Sequence, residues 1–153
     1  QLKAYLLSQH VESGIINLGG NVLTIGQKPD GSAFTVGIQE PFAEQGKSIT
    51  TVSAADNKKD TFASVVTTGI YERYFELNGE IYHHILDAKT GYPIQNNLSS
   101  VTILTDSSMQ ADALSTTCMI LGLADAKDLI SSLNGEAQAI FITNDGEIID
   151  TRN

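Results

Sequence analysis

The chain has 153 residues, 41% of them hydrophobic, and a formal net charge of −9. That length makes one domain or the larger part of one and suffices for a sizeable apolar core. The acidic balance excludes general binding to nucleic-acid backbone or anionic lipid, which favour clustered Lys and Arg, so an anionic nucleotide bound here needs local help from a cation or backbone amides.

In residues 1–9 (QLKAYLLSQ), Leu2, Tyr5 and Leu6, followed by Val11, recur at helical spacing with no cap in front. The sequence is therefore expected to begin inside a helix, with an upstream segment ahead of it that would carry any targeting signal. No apolar run approaches the roughly 20 residues needed to cross a bilayer, and no basic-then-apolar export signal opens the chain. As given, the chain is expected to be soluble.

Residues 14–18 (GIINL) read as a short strand, broken by Gly19 and Gly20. Residues 21–26 and 33–38 resemble a strand pair joined by the turn residues Pro29, Asp30 and Gly31. Residues 49–53 and 62–67 read as two more strands, separated by the polar stretch 56–60. Residues 74–77 and 80–85 flank Asn78-Gly79, a strong signal for a two-residue hairpin turn. Residues 87–98 carry Gly, Pro and Asn without periodicity and read as a loop, and residues 99–104 form another strand. From Ser107 the period changes: Ser107 with Gln110 matches a capping box, and the helix is expected to reach Leu121 and end near Gly122. A second helix over residues 124–133 stops before Gly135, and a terminal hairpin over 137–143 and 147–150 turns on Asn144-Asp145-Gly146. The fold class is α+β: a mostly antiparallel sheet with helices packed on one face.

Asp112 and Thr116 lie one helical turn apart on the same face. A carboxylate and a hydroxyl so placed offer two hard oxygens to Mg²⁺, which keeps waters and takes further ligands from substrate phosphates. A solvent-facing Asp and a Thr bonded back to a helix carbonyl is the commoner explanation of such a pair on spacing alone. Met109, Ala113, Leu114, Cys118, Ile120 and Leu121 cover most of the remaining helix surface, leaving Asp112, Ser115 and Thr116 in a narrow polar stripe that reads as the lining of a cleft. The single Cys118 rules out an internal disulfide and, among Leu114, Ile120 and Leu121, reads as a buried thiol.

His83 and His84 end a strand, so their side chains point to opposite faces. One of them is suited to general-base chemistry near neutral pH, and a packed histidine bonded to a carbonyl is the equal alternative. In Leu18-Gly19-Gly20-Asn21 the glycines allow close backbone approach to a ligand, while a plain tight turn explains them equally well. Thr67-Thr68-Gly69 at a strand end supports either phosphate contact or a turn. No P-loop, GxSxG elbow or CxxC pair is present.

Four segments in order resemble the ApbE-type flavin transferases: INLGGN (residues 16–21), TTGIYERYF (67–75), YHHILDAKTGYP (82–93) and ADALSTTCMILG (111–122). The resemblance spans nearly the whole chain and implies that family's T-fold-like architecture. It implies that Ile85, Asp87, Thr90 and Gly91 border the FAD site and that Asp112 and Thr116 hold a catalytic Mg²⁺, and beside it Gly19, Gly20, Asn21, Thr68 and Gly69 of the glycine and threonine segments are candidate FAD contacts. His84 is favoured over His83 because the family pattern has one His immediately before the Ile. Ala88 replaces the usual proline after the Asp, and Ile70 stands where a polar residue is common. The family's upstream Lys-Gly motif and further flavin contacts are absent from this sequence, so residues 1–153 are expected to be the C-terminal part of a single flavin-transferase domain.

The implied reaction moves the FMN portion of FAD onto a Thr or Ser hydroxyl of an acceptor protein and releases AMP. The implied acceptor is a flavoprotein of an electron-transfer system, with no nucleic-acid partner. The implied location is extracytoplasmic, as a bacterial lipoprotein touching the membrane only through an upstream lipid anchor. Two other readings keep the cleft: an FAD pyrophosphatase yielding FMN and AMP, and a flavin-binding protein without turnover.

Overall fold

A computed structural model describes residues 1–56 and 59–152. Of the polar stretch expected at residues 56–60, residues 57 and 58 lie outside the described residues. The elements in chain order are α1 (Leu2–Ser8), β1 (Gly14–Asn17), β2 (Asn21–Ile25), β3 (Phe34–Gln39), β4 (Ser48–Ala54), β5 (Ser64–Gly69), β6 (Tyr74–Leu77), β7 (Glu80–His83), β8 (Leu98–Thr105), α2 (Ser108–Leu121), α3 (Leu123–Ser132), β9 (Gln138–Thr143) and β10 (Ile148–Asp150). A six-stranded sheet runs in the order β1-β2-β5-β8-β9-β10, antiparallel throughout, and β3–β4 and β6–β7 are separate two-stranded ribbons. The α+β reading, with helices on one face of an antiparallel sheet, stands.

Both faces of the central sheet are covered, and alternate residues of each strand serve each face. On one side Val66, Val101, Ile103, Ala139 and Phe141 meet Ala111, Cys118 and Met119 of α2 and Ala126 and Ile130 of α3. On the other, Val22, Val65, Leu104, Ile140 and Ile142 meet Ile38, Val52 and Ala54 of the β3–β4 ribbon. Strand β8 is therefore buried at every position, and it reads VTIL rather than alternating apolar with polar. Thr102 Oγ1 on this strand lies 2.8 Å from Thr67 Oγ1 across the β5–β8 pair.

The expected pairing of residues 21–26 with 33–38 is not formed. β2 has no free edge for β3, because β1 takes one side and β5 the other. Gly26 ends β2 at φ 58°, where a Cβ would sit 2.2 Å from the Glu12 carbonyl, and the chain leaves the sheet there. Asp30 does make the expected turn, its carboxylate accepting the Ser32 N–H at 2.9 Å, but the turn leads β3 into the ribbon with β4.

Other local signals match. Asn78 and Gly79 have φ of 56° and 81°, the two positive values that a type I′ hairpin requires. Ser107 caps α2, its hydroxyl accepting the Gln110 N–H at 3.3 Å, and Gly122 ends the helix at φ 78°. The surface of α2 differs from expectation. Met109 is 83% exposed, and Ala113, Ile120 and Leu121 are exposed too, while the buried face is Ala111, Ser115, Cys118 and Met119. Small side chains let the helix lie close on β5 and β8, so Ser115 sits under the helix, apart from the exposed Asp112 and Thr116. Cys118 is fully buried, and burial pushes its thiol up to about 11, as befits an inert core sulfur.

Candidate functional site

A cleft of about 450 Å³ opens where the β1–β2 turn, β5, the segment after β7 and α2 meet. Eight of the residues expected at a site line it: Gly19, Gly20, Asn21, Thr68, His84, Ile85, Asp112 and Thr116. Glu72, Arg73, Leu18, Leu86 and Ile120 complete most of the rim.

The Gly19-Gly20 pair is both a tight turn and a wall of the cleft. Both residues have positive φ, 66° and 83°, and the Leu18 N–H bonds to the Asn21 carbonyl at 2.9 Å, closing a two-residue hairpin. A Cβ on Gly20 would meet Glu72 Oε1 at 3.0 Å and the Thr67 carbonyl at 3.2 Å, so the turn is pressed against β5 and the cleft floor. Asn21 is anchored to the start of α2, its Oδ1 accepting the Ser108 hydroxyl at 2.6 Å.

On α2, Asp112 accepts no side-chain hydrogen bond and forms no ion pair among the described residues. Thr116 Oγ1 lies 3.4 Å from Thr68 Oγ1, which is itself 2.7 Å from the Ser115 hydroxyl. The cleft thus presents a free carboxylate and a hydroxyl one turn apart. Among the described residues no three His, Cys, Asp or Glu side chains cluster tightly enough to cage a metal. The donor set fits a hard cation that keeps water and substrate oxygens in its shell, and it does not fit zinc or another metal that needs an all-protein cage.

The two histidines separate cleanly. His83 is 8% exposed and uses both nitrogens: Nε2 lies 3.1 Å from the Ile94 carbonyl, which can only accept, and Nδ1 accepts the Ile85 N–H at 3.3 Å. Burial holds its pKa below the ordinary value, with the charge of His84 adding to the effect. It is a packing residue. His84 is exposed to the cleft, and its Nδ1 lies 3.2 Å from the Arg73 carbonyl. That nitrogen must donate, so in the neutral ring Nε2 is left as the basic atom.

Residues 1–141 match the ApbE family. This chain belongs to the ApbE family. It is 39% identical over 150 residues to a FAD:protein FMN transferase of Klebsiella pneumoniae (strain 342), covering 97% of this chain and 43% of that one. It is 36% identical over 152 residues to a FAD:protein FMN transferase of Treponema pallidum (strain Nichols), covering 94% and 40%. The crystal structure of the ApbE protein of Thermotoga maritima superposes with a TM-score of 0.82 at 31% identity, over 97% of this chain and 46% of that chain. The apo form of the Pseudomonas stutzeri flavinyl transferase ApbE superposes at 0.70 and 32% identity, over 97% of this chain and 43% of that one. The chain spans less than half the length of these relatives.

Four of the candidate FAD-contact residues lie elsewhere. Gly69 does not line the cleft; it lies beneath Tyr71, whose ring carbon would be 2.6 Å from an added Cβ. Asp87 and Thr90 line a second cleft of about 1140 Å³ that shares only Leu86 and Ile120 with the first. Their side chains shape the loop: Asp87 accepts the Lys89 N–H at 2.8 Å, and Thr90 Oγ1 accepts the Tyr92 N–H at 3.3 Å. Gly91, at φ 71°, closes that loop onto the Asp87 carbonyl at 2.8 Å and lines neither cleft. Ile70, the departure from the usual polar residue, packs against the helix-side core.

Sequence reasoning gave Glu72 and Arg73 no role, although both lie within the TTGIYERYF motif and line the cleft. Burial holds the Glu72 carboxyl above the ordinary range, and the charges of His84 and Arg73 pull it back. The available signal was two adjacent opposite charges immediately after a buried strand end, a place that supplies cleft rims in sheet proteins.

Proposed function

We propose that this chain forms part of a Mg²⁺-dependent transferase that moves the FMN portion of FAD onto a Thr or Ser hydroxyl of an acceptor protein and releases AMP. The observation that carries the reading is the meeting, in one cleft, of the unpartnered Asp112 carboxylate, the Thr116 hydroxyl and a His84 ring whose Nε2 is free to take a proton. The names of the relatives support the same reading.

The acceptor oxygen attacks the flavin-side phosphorus, the bridging P–O bond of the pyrophosphate breaks, and AMP leaves with that electron pair. His84 Nε2 receives the hydroxyl proton, with the Arg73 carbonyl holding the tautomer in which it can do so. When bound, the cation offsets negative charge on the pyrophosphate oxygens, which matters in an acidic protein. Asp112 and Thr116 hold it, and Asn21, Gly19 and Gly20 form the wall against which the substrate is positioned. The acceptor is placed outside the cytoplasmic membrane as part of an electron-transfer system, with this protein tethered by a lipid anchor. No helix among the described residues is long and apolar enough to cross a membrane.

The test uses the gene product that carries these residues, FAD, Mg²⁺ and an acceptor protein, read by mass spectrometry. Asp112→Ala is expected to lower acceptor flavinylation at least ~100-fold, and His84→Gln by ~100-fold or more at saturating FAD and acceptor. Normal turnover by Asp112→Ala would remove the metal assignment. FMN and AMP formed with no mass added to the acceptor would assign the cleft to pyrophosphate hydrolysis instead. FAD bound with neither product would make the protein a flavin carrier.

A further inference from the structure

We propose that the Arg73 side chain clamps the pyrophosphate of FAD at the junction of two adjoining clefts. This rests on the FAD reading above and adds a residue to it. A third cleft, about 850 Å³, lies between the sheet and the β3–β4 ribbon and shares Gly19, Gly20, Thr67, Glu72 and Arg73 with the first. Arg73 is the only Lys or Arg among the described residues that line either one. The chain has a net charge of −9, and Asp112 and Glu72 add two carboxylates to the cleft that is to receive a doubly charged pyrophosphate diester.

Arg73 forms no ion pair among the described residues, so its charge is not already committed. Its main chain is fixed independently of its side chain: the carbonyl accepts both the His84 N–H at 3.1 Å and, at 3.2 Å, His84 Nδ1. One residue therefore orients His84 through its backbone, while the residue itself is exposed and lines both clefts. The planar fork of five donors matches two phosphate oxygens at once, which an ammonium does not.

Binding, separate from turnover, tests the assignment. In the gene product that carries these residues, with Mg²⁺, FAD and riboflavin are titrated against wild type, Arg73→Gln and Arg73→Lys, with folding checked by circular dichroism. Riboflavin has the same ring and no phosphate. Arg73→Gln is expected to weaken FAD by ~10- to 100-fold, to leave riboflavin unchanged, and to flatten the salt dependence of FAD binding. Arg73→Lys recovers part of the loss. Inorganic pyrophosphate displaces FAD from wild type and is needed at ~10-fold higher concentration to occupy Arg73→Gln. Unchanged FAD binding by Arg73→Gln, or equal losses for FAD and riboflavin, overturns the clamp and leaves the FAD reading standing. A wild-type protein that binds no FAD overturns both.

Discussion

Strand β8 is buried at all its positions and paired along both edges, whereas β6 is exposed at all its positions and paired only with β7. The first is the spine of the fold. The second belongs to a ribbon whose base is flanked by Arg73 and His84, both of which line the cleft. Stability and the placement of Arg73 and His84 thus rest on different elements. They meet at His83 and Ile85, which are buried on either side of the exposed His84 and fix the base of the ribbon to the core.

The sharpest way to break this contrast is in the spine. Phe141, on β9 beside β8, is fully buried in the helix-side cluster. Phe141→Ala is expected to lower the unfolding free energy by ~3–5 kcal/mol, from lost transfer energy and the cavity left behind. Urea melts read this directly. A loss under ~1 kcal/mol would mean that the β8–β9 centre is not where stability is concentrated.

The same contrast explains what was legible in the sequence. Local chemistry announces itself: Asn78-Gly79 sets its hairpin, and Ser107 with Gln110 starts α2 one residue later. Non-local pairing does not. The turn at Asp30 looked like a β2–β3 hairpin, because nothing near residues 21–26 shows that β5, some 40 residues on, will take that edge. The helix face was misjudged for a related reason. Large side chains such as Met109, Ile120 and Leu121 looked like the buried face, but close packing onto the sheet selects Ala111, Ser115 and Cys118. At the site, the carboxylate and hydroxyl of α2 followed from helical spacing, while joining them to Gly20 and His84 needed family motifs that topology then brought together. Asp87 and Thr90 sit in the same motif as His84, yet they face a different opening, and Gly91 faces neither, which spacing cannot foretell.

At the junction between spine and ribbon the expected effect is intermediate and depends on pH. His83→Ala leaves the Ile85 N–H and Ile94 carbonyl without partners, costing ~1–3 kcal/mol. His83 is buried neutral with its folded-state pKa below the ordinary 6.5, so the unfolded chain takes up the proton first as acid is added. Its stabilisation is fully present above that ordinary value and declines as pH falls below it toward the folded-state pKa. The gap between wild type and His83→Ala is therefore expected to be widest at pH 8 and narrower at pH 5. A gap that stays constant across urea melts at those pH values would remove protonation of His83 from the account.

The smallest effect belongs to the outer part of the ribbon. Phe75 and Tyr82 face each other across β6–β7, stacked with centroids 5.2 Å apart and planes 7° apart, while Phe75 remains 60% exposed. Exposure limits the area this pair removes from water, leaving a cross-strand contact worth ~0.5–1 kcal/mol to the ribbon. That energy is local, because the ribbon shares no strand with the six-stranded sheet. Phe75→Ala should leave the global urea midpoint nearly unchanged and speed amide exchange in residues 75–82. Exchange at His84, whose N–H is bonded to the Arg73 carbonyl next to buried Ile85, should stay slow. Joint acceleration at His84, or a global loss approaching that of Phe141→Ala, would show that ribbon and spine unfold as one unit, and that the site is held by the whole ribbon rather than by its base.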